Sequence, residues 1–141
     1  MVCLMRLSRI ILLRLPALLI AGVIWFLSSQ SILPQPRGIF GWDKLQHLLI
    51  YGALGLAVGL WTSPVFWKRR PALTLLLVTL AGSAYGAIDE FHQYFVPGRD
   101  CNVWDWIADT LGVFLGALAI KLYMRIFKPV KTVKTNGEDN N

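Results

Sequence analysis

The stretch LLIYGALGLAVGLWTSPVF, residues 48–66, runs for 19 positions without a charge. It has no period-two alternation, so it reads as a continuous apolar helix rather than a barrel strand. A bilayer core of roughly 30 Å needs about 20 such residues, and the stretch is close to that length. Downstream, residues 71–88 are charge-free over 18 positions and open on Pro71, which suits a first helical turn. Upstream, a span is expected over about residues 9–30, with Arg14 and Pro16 at its entry turn, where Arg snorkels and Pro is tolerated. The fourth segment is weaker. Residues 110–120 give 11 clean positions, and a full span over about 103–124 must take in Asp105, Asp109 and Lys121.

The expectation is therefore an all-α, four-helix transmembrane bundle with spans at about 9–30, 45–66, 71–93 and 103–124. These lie in a single domain over residues 1–128, followed by a basic, polar and Asn-rich tail (129–141) that reads as disordered. Composition agrees. Of 141 residues, 55% are hydrophobic and 16% charged, against about 45–50% and about 25% in soluble domains. That apolar mass excludes a disordered protein, and two cysteines exclude a disulfide scaffold. The net charge of +6 suggests an acidic partner, but the apolar mass points to a bilayer rather than nucleic acid.

The N-terminus has a competing reading. Arg6, Arg9 and Arg14, an apolar run and Ser29-Gln30-Ser31 resemble a signal peptide with its cleavage site. The run is long for that role, and bulky Trp25 and Phe26 crowd the site, so an uncleaved first span is favoured. No lipobox-like run precedes Cys3.

Basic residues in the flanks set orientation. The N-terminus, the turn at residues 63–70 and the C-terminus together hold 11 of the 14 Lys and Arg, leaving Arg37, Lys44 and Arg99 on the other side. Both termini are expected in the cytoplasm. Six of the eight acids (Asp43, Asp89, Glu90, Asp100, Asp105 and Asp109) then fall on the outer side. Cys3 and Cys101 lie on opposite sides, which rules out pairing them.

Ionisable residues near a membrane core are costly and usually functional. Asp43, His47 and Tyr51 recur every fourth residue and form one stripe, with Lys44 beside it. Gly86, Glu90 and Gln93 form another stripe, with Asp89 adjacent. Asp105, Asp109, Gly112 and Gly116 share a face, and the GxxxG within it allows close helix approach, including by a second copy of the chain. The turn Pro97-Gly98-Arg99-Asp100 is placed to return Arg99 toward the carboxylates.

Three stretches carry a family resemblance. They are Trp42-Asp43-Lys44-Leu45-Gln46-His47 with Tyr51-Gly52; Asp89-Glu90-Phe91-His92-Gln93 with Pro97-Gly98-Arg99; and Asp105-Trp106-Ile107-Ala108-Asp109 with Gly112. Together, over about residues 42–117, this sequence resembles the VanZ-like family; Ser28-Ser29 before Pro34 is similar to the end of the family's first span. Asp109 stands where many members have Asn. The resemblance implies a small bacterial plasma-membrane protein with its motifs facing outward. The family takes its name from a member associated with low-level resistance to the glycopeptide teicoplanin, and the resemblance supplies no biochemical activity or cofactor.

Three readings of Asp43, Lys44, His47, Tyr51, Asp89, Glu90, Gln93, Arg99, Asp105 and Asp109 compete. In the first, Lys44 or Arg99 neutralises the acids and the network only holds helices together; ten such groups exceed what packing needs. In the second, Lys44 and Arg99 bind the phosphate or carboxylate of an envelope lipid or glycan headgroup, while the acids and Gln93 take its hydroxyls. Trp42, Trp104, Trp106 and Tyr94 sit at the same level and read as interface-belt aromatics. In the third, a membrane enzyme uses His47 as a base oriented by Asp43, Asp89, Glu90 or Asp109, or the same set holds a divalent metal. His92 is out of phase with Asp89 and Gln93 and reads as interfacial. The headgroup reading ranks first.

Overall fold

The computed structural model describes residues 2–31 and 41–127, with side chains described from Arg14 onward. Arg37 and the tail at 129–141 lie outside the described residues, as do the side chains of Cys3, Arg6 and Arg9. The protein is all-helical over the described residues. Four long helices, α1 (Val2–Ser28), α2 (Trp42–Trp61), α4 (Pro71–Gln93) and α5 (Val103–Phe127), are joined with one short helix, α3 (Pro64–Arg69).

Two boundaries depart from the sequence reading. Segment 45–66 is cut at Trp61, because Pro64 holds the preceding Ser63 in an extended conformation (φ −56°, ψ 134°). Ser63 Oγ then accepts from the Val65 N–H at 3.4 Å, and Pro64 opens α3 where a turn was expected. Trp67 of α3 is buried and donates its indole N–H to Gly59 O at 3.0 Å, which folds the connection back onto α2. Pro16 lies inside α1 rather than at its entry turn, since the helix already starts at Val2; a proline is tolerated within membrane-type helices.

The interior is organised around α2 and α5. Gly112 and Gly116 face the backbone of α2, where a Cβ on Gly116 would stand 2.7 Å from Leu56 N and one on Gly112 2.9 Å from Gly52 N. Gly55 reciprocates against Val113, 2.8 Å from its Cα. The GxxxG pair therefore serves packing within the chain, and its face is occupied by α2 rather than left for a second copy. Val113, Tyr51, Ala117 and Leu54 fill the seam, with Val78 of α4 and Ile24 of α1 against it. Arg14 lies 5.4 Å over the Trp61 ring, at the end of the bundle that holds α3.

Polarity is inverted relative to a soluble domain. Leu73, Leu76, Leu77, Leu80 and Ile88 of α4 and Leu111, Leu115 and Leu122 of α5 are exposed, whereas Asp89, Glu90, Gln93 and Asp109 are at most 3% exposed. A soluble monomer rarely shows so much contiguous apolar surface. Among the described residues, α4 and α5 are each long and apolar enough to cross a membrane, and Arg14–Ser28 forms a shorter apolar stretch.

Candidate functional site

The polar residues gather where α1 and α4 end and α2 and α5 begin. Along α2 the stripe sinks from surface to core. The Asp43 side chain is 43% exposed, His47 17%, and Tyr51 is fully buried. Lys44 Nζ donates to Asp43 Oδ2 at 2.7 Å and across to Asp105 Oδ1 of α5 at 3.0 Å. The Lys44 hydrogen bond holds the Asp43 carboxyl below its ordinary range, and the same contact raises the ammonium of Lys44.

One turn deeper, His47 Nδ1 lies 2.9 Å from Asp109 Oδ1 and 3.9 Å from Glu90 Oε1. The ligand atoms of His47, Glu90 and Asp109 lie within 4.8 Å of one another, so three helices contribute to one constellation. Helical phase explains it. Asp105 and Asp109 stand one turn apart on the α2-facing side of α5, and the missing side chain at Gly86 makes room for Asp109, whose Oδ2 would be 3.0 Å from a Cβ there.

Glu90 is fixed on both oxygens. Oε1 accepts from Gln93 Nε2 at 3.3 Å, and Oε2 from the Asn102 N–H at 2.9 Å. Asn102 also caps α5 by accepting the Trp104 N–H on its side chain at 3.0 Å, so one residue ties the 94–102 connection to the site. Asp89 points toward α1, where its Oδ2 accepts from Ser28 Oγ at 2.8 Å and Gln93 Nε2 at 3.3 Å. Among the described residues, Asp89 Oδ1, Asp109 Oδ2 and the Tyr51 hydroxyl are buried without a hydrogen-bond partner.

One pairing differs from the sequence reading, and a second selects among its alternatives. Arg99 does not turn to the carboxylates. Gly98, at φ +81°, directs the chain so that Arg99 donates from Nη2 to Leu27 O at 3.0 Å and from Nε to Gln30 O at 3.2 Å. The end of α1 offers carbonyls with a free lone pair (among the described residues, Leu27 O otherwise accepts only the Gln30 N–H, at 3.1 Å) and the negative pole of its dipole, which attract a guanidinium. The partner that orients His47 is Asp109, and Asp43 on the same helix is engaged by Lys44 instead.

Ser28, Asn102 and Tyr85 complete the network, and the sequence reading did not place them in the site. Tyr85 donates to Ala21 O at 2.7 Å and anchors α4 to α1. The available signal was Ser28-Ser29, a polar pair closing an apolar helix. His92 is half-buried against α1. It stacks on Trp25 at 4.1 Å and shares a 3.0 Å contact with Ser29 Oγ. Tyr94 and Trp104 stand exposed at this end; Trp106 donates its indole N–H to Ser83 O at 3.0 Å.

Apolar helices outside and ionisable side chains inside define the class: an all-helical membrane protein with a polar cluster at one end. The chain belongs to the VanZ/LLP1 family, whose model matches residues 12–124. No curated protein and no solved structure gives a significant match.

Proposed function

We propose that the chain is a four-span integral protein of the bacterial plasma membrane. Both termini lie in the cytoplasm, and its outward-facing end receives the polar headgroup of an envelope lipid or glycan. The observation that carries this is the burial of Asp89, Glu90 and Asp109 beside a partly open His47. Buried carboxylates are expensive and contribute little that apolar packing would not supply better. At 20 residues, α2 is about 30 Å long, comparable with the hydrocarbon core of a bilayer, and it carries Asp43 and Lys44 in its first turn.

Lys44 and Arg99 are both engaged inside the protein, which favours a hydroxyl-rich headgroup met by acceptors over an anion met by free bases. The test is lipid retention. Full-length protein extracted in mild detergent is analysed by mass spectrometry, beside the isosteric Glu90→Gln variant and His47→Ala. A defined headgroup lipid enriched on wild type and lost from both variants supports the reading. Identical lipid profiles from all three overturn it.

A second reading is favoured by one distance. The 2.9 Å contact between His47 and Asp109 is the arrangement of a general base and its orienting carboxylate, so a membrane enzyme acting on the same headgroup is the alternative. Turnover of the retained lipid by wild type, absent in His47→Ala, would establish it.

A further inference from the structure

The constellation of His47, Glu90 and Asp109 has the composition of a cation site. We propose that it binds one divalent transition-type ion, of the Zn2+ or Mn2+ kind, through His47 Nδ1 and one oxygen each from Glu90 and Asp109. The inference rests on the headgroup reading only in taking this end of the bundle to face the aqueous exterior, from which the ion enters.

Geometry comes first. Two ligands about 2.1 Å from an ion stand about 3.4 Å apart in a tetrahedron, and about 3 Å apart when adjacent or about 4.2 Å when opposite in an octahedron. The Nδ1–Oδ1 separation is 2.9 Å and the Nδ1–Oε1 separation is 3.9 Å, close to the two ends of that interval, and all three ligand atoms lie within 4.8 Å of one another. The three ligands come from α2, α4 and α5, and two of them are held from behind. Glu90 is fixed by Gln93 and Asn102, and Asp109 is seated against Gly86. Orienting partners of this kind are typical around metal ligands.

Charge is the second argument. Two ionised carboxylates and a neutral imidazole carry −2, which one divalent ion cancels. Among the described residues, neither Lys44 nor Arg99 reaches Glu90 or Asp109, since Lys44 is held by Asp43 and Asp105 and Arg99 by Leu27 O and Gln30 O; His47, which contacts both acids, can cancel at most one of the two charges. Buried anions without a compensating charge are costly.

Tyr51 supplies a third observation, on the same stripe of α2 as His47. Tyr51 is fully buried with its ring parallel to His47, 6.4 Å between centroids, and its hydroxyl has no hydrogen-bond partner among the described residues. A buried O–H left unpaired one helical turn below the ligand His47 is suited to donate to a group bound there. One imidazole with oxygen donors selects Zn2+ or Mn2+ over Ca2+, which takes oxygen ligands throughout.

The test uses the full-length chain in detergent, stripped with chelator and titrated with Zn2+ alone and with Mn2+ alone. One ion should bind per chain, at least ~10-fold more weakly in His47→Ala and Glu90→Gln, and unchanged in His92→Ala and Cys101→Ser. No binding by wild type, or binding that survives His47→Ala or disappears with Cys101→Ser, overturns the proposal. Because substitutions in a buried site can unfold the bundle, X-ray absorption of the Zn2+-loaded wild type is the second measurement. One imidazole with oxygen neighbours is expected; sulfur or a second imidazole overturns the assignment. A chain that binds no ion yet retains a lipid lost in Glu90→Gln defeats the ion and leaves the headgroup reading standing. An ion-loaded chain without lipid does the reverse.

Discussion

His47 Nδ1 and Asp109 Oδ1 face each other at 2.9 Å although 62 positions separate them in the chain. The contact exists because α2 and α5 approach through glycines at Gly52, Gly55, Gly112 and Gly116. Without that close approach, the acid on α5 and the imidazole on α2 would belong to two surfaces. Polar site and helix packing are therefore one construction, and disturbing either disturbs the other.

Gly116→Ala should push α5 away from α2, because the new Cβ would meet the Gly52 carbonyl and Leu56 N, neither of which can swing aside. A loss of about 1–3 kcal/mol is expected, read as a lower thermal unfolding midpoint in detergent. Gly22→Ala is the contrast. Its Cβ meets nothing within 4 Å, and the helix gains up to about 1 kcal/mol from alanine's propensity. Equal effects at both positions would contradict the packing account.

Ser28→Ala removes the hydroxyl that donates to Asp89 Oδ2 and leaves a fully buried carboxylate with Gln93 alone. The expected cost is about 1–3 kcal/mol. Ser29→Ala, at an exposed position, should stay within about 0.5 kcal/mol. Thermal unfolding of the two variants side by side decides whether Asp89 depends on α1.

Arg99→Ala should loosen the end of α1 by deleting the hydrogen bonds to Leu27 O in its last turn and to Gln30 O just beyond it. Arg99→Lys should restore little, since an ammonium cannot reproduce the two-armed guanidinium fork. A cysteine placed at Ser29 reports the change as faster labelling in both variants than in the Arg99 background. Labelling unchanged by Arg99→Ala would show that α1 is held by its other contacts.

The Lys44 bridge predicts a pH dependence of definite sign. Asp43 is held below its ordinary pKa of about 3.9, so its contribution is complete above that value and disappears as pH falls through the lowered one. Lys44 is raised above about 10.4, so its share is complete below that value and disappears as pH rises through the raised one. The stability difference between wild type and Lys44→Ala should be flat between about pH 5 and 9 and shrink outside that window. Its size should be no more than about 1 kcal/mol, because both side chains are more than a third exposed. A difference that grows in acid would refute the pairing.

Orientation is checked by reporters. A phosphatase active only outside the cytoplasm should work when fused at Gly98 and fail after Phe127, and a cytoplasm-dependent fluorescent reporter should show the opposite. Phosphatase activity from the fusion after Phe127 would invert the topology.

Residues 71–93 announce a helix through apolar length and match α4, and the weaker segment 103–124 corresponds to α5, which runs on to Phe127 because nothing there interrupts a helix. The stripe of Asp105, Asp109, Gly112 and Gly116 is legible too, since helical period places them on one face, and all four are buried. Sequence also identified Asp43, His47, Glu90 and Asp109 as unusual, because charge is expensive in apolar surroundings. It could not pair them. Period fixes the face of one helix but not the rotation and height of its neighbour, so Lys44 could be matched with any acid and Arg99 with any carboxylate. Only tertiary structure assigned Lys44 to Asp43 and Asp105, Asp109 to His47, and Arg99 to the carbonyls of α1. What decided those assignments is packing: glycine-to-backbone contact sets the offset of α2 against α5, and a buried polar group takes the partner that offset brings within reach.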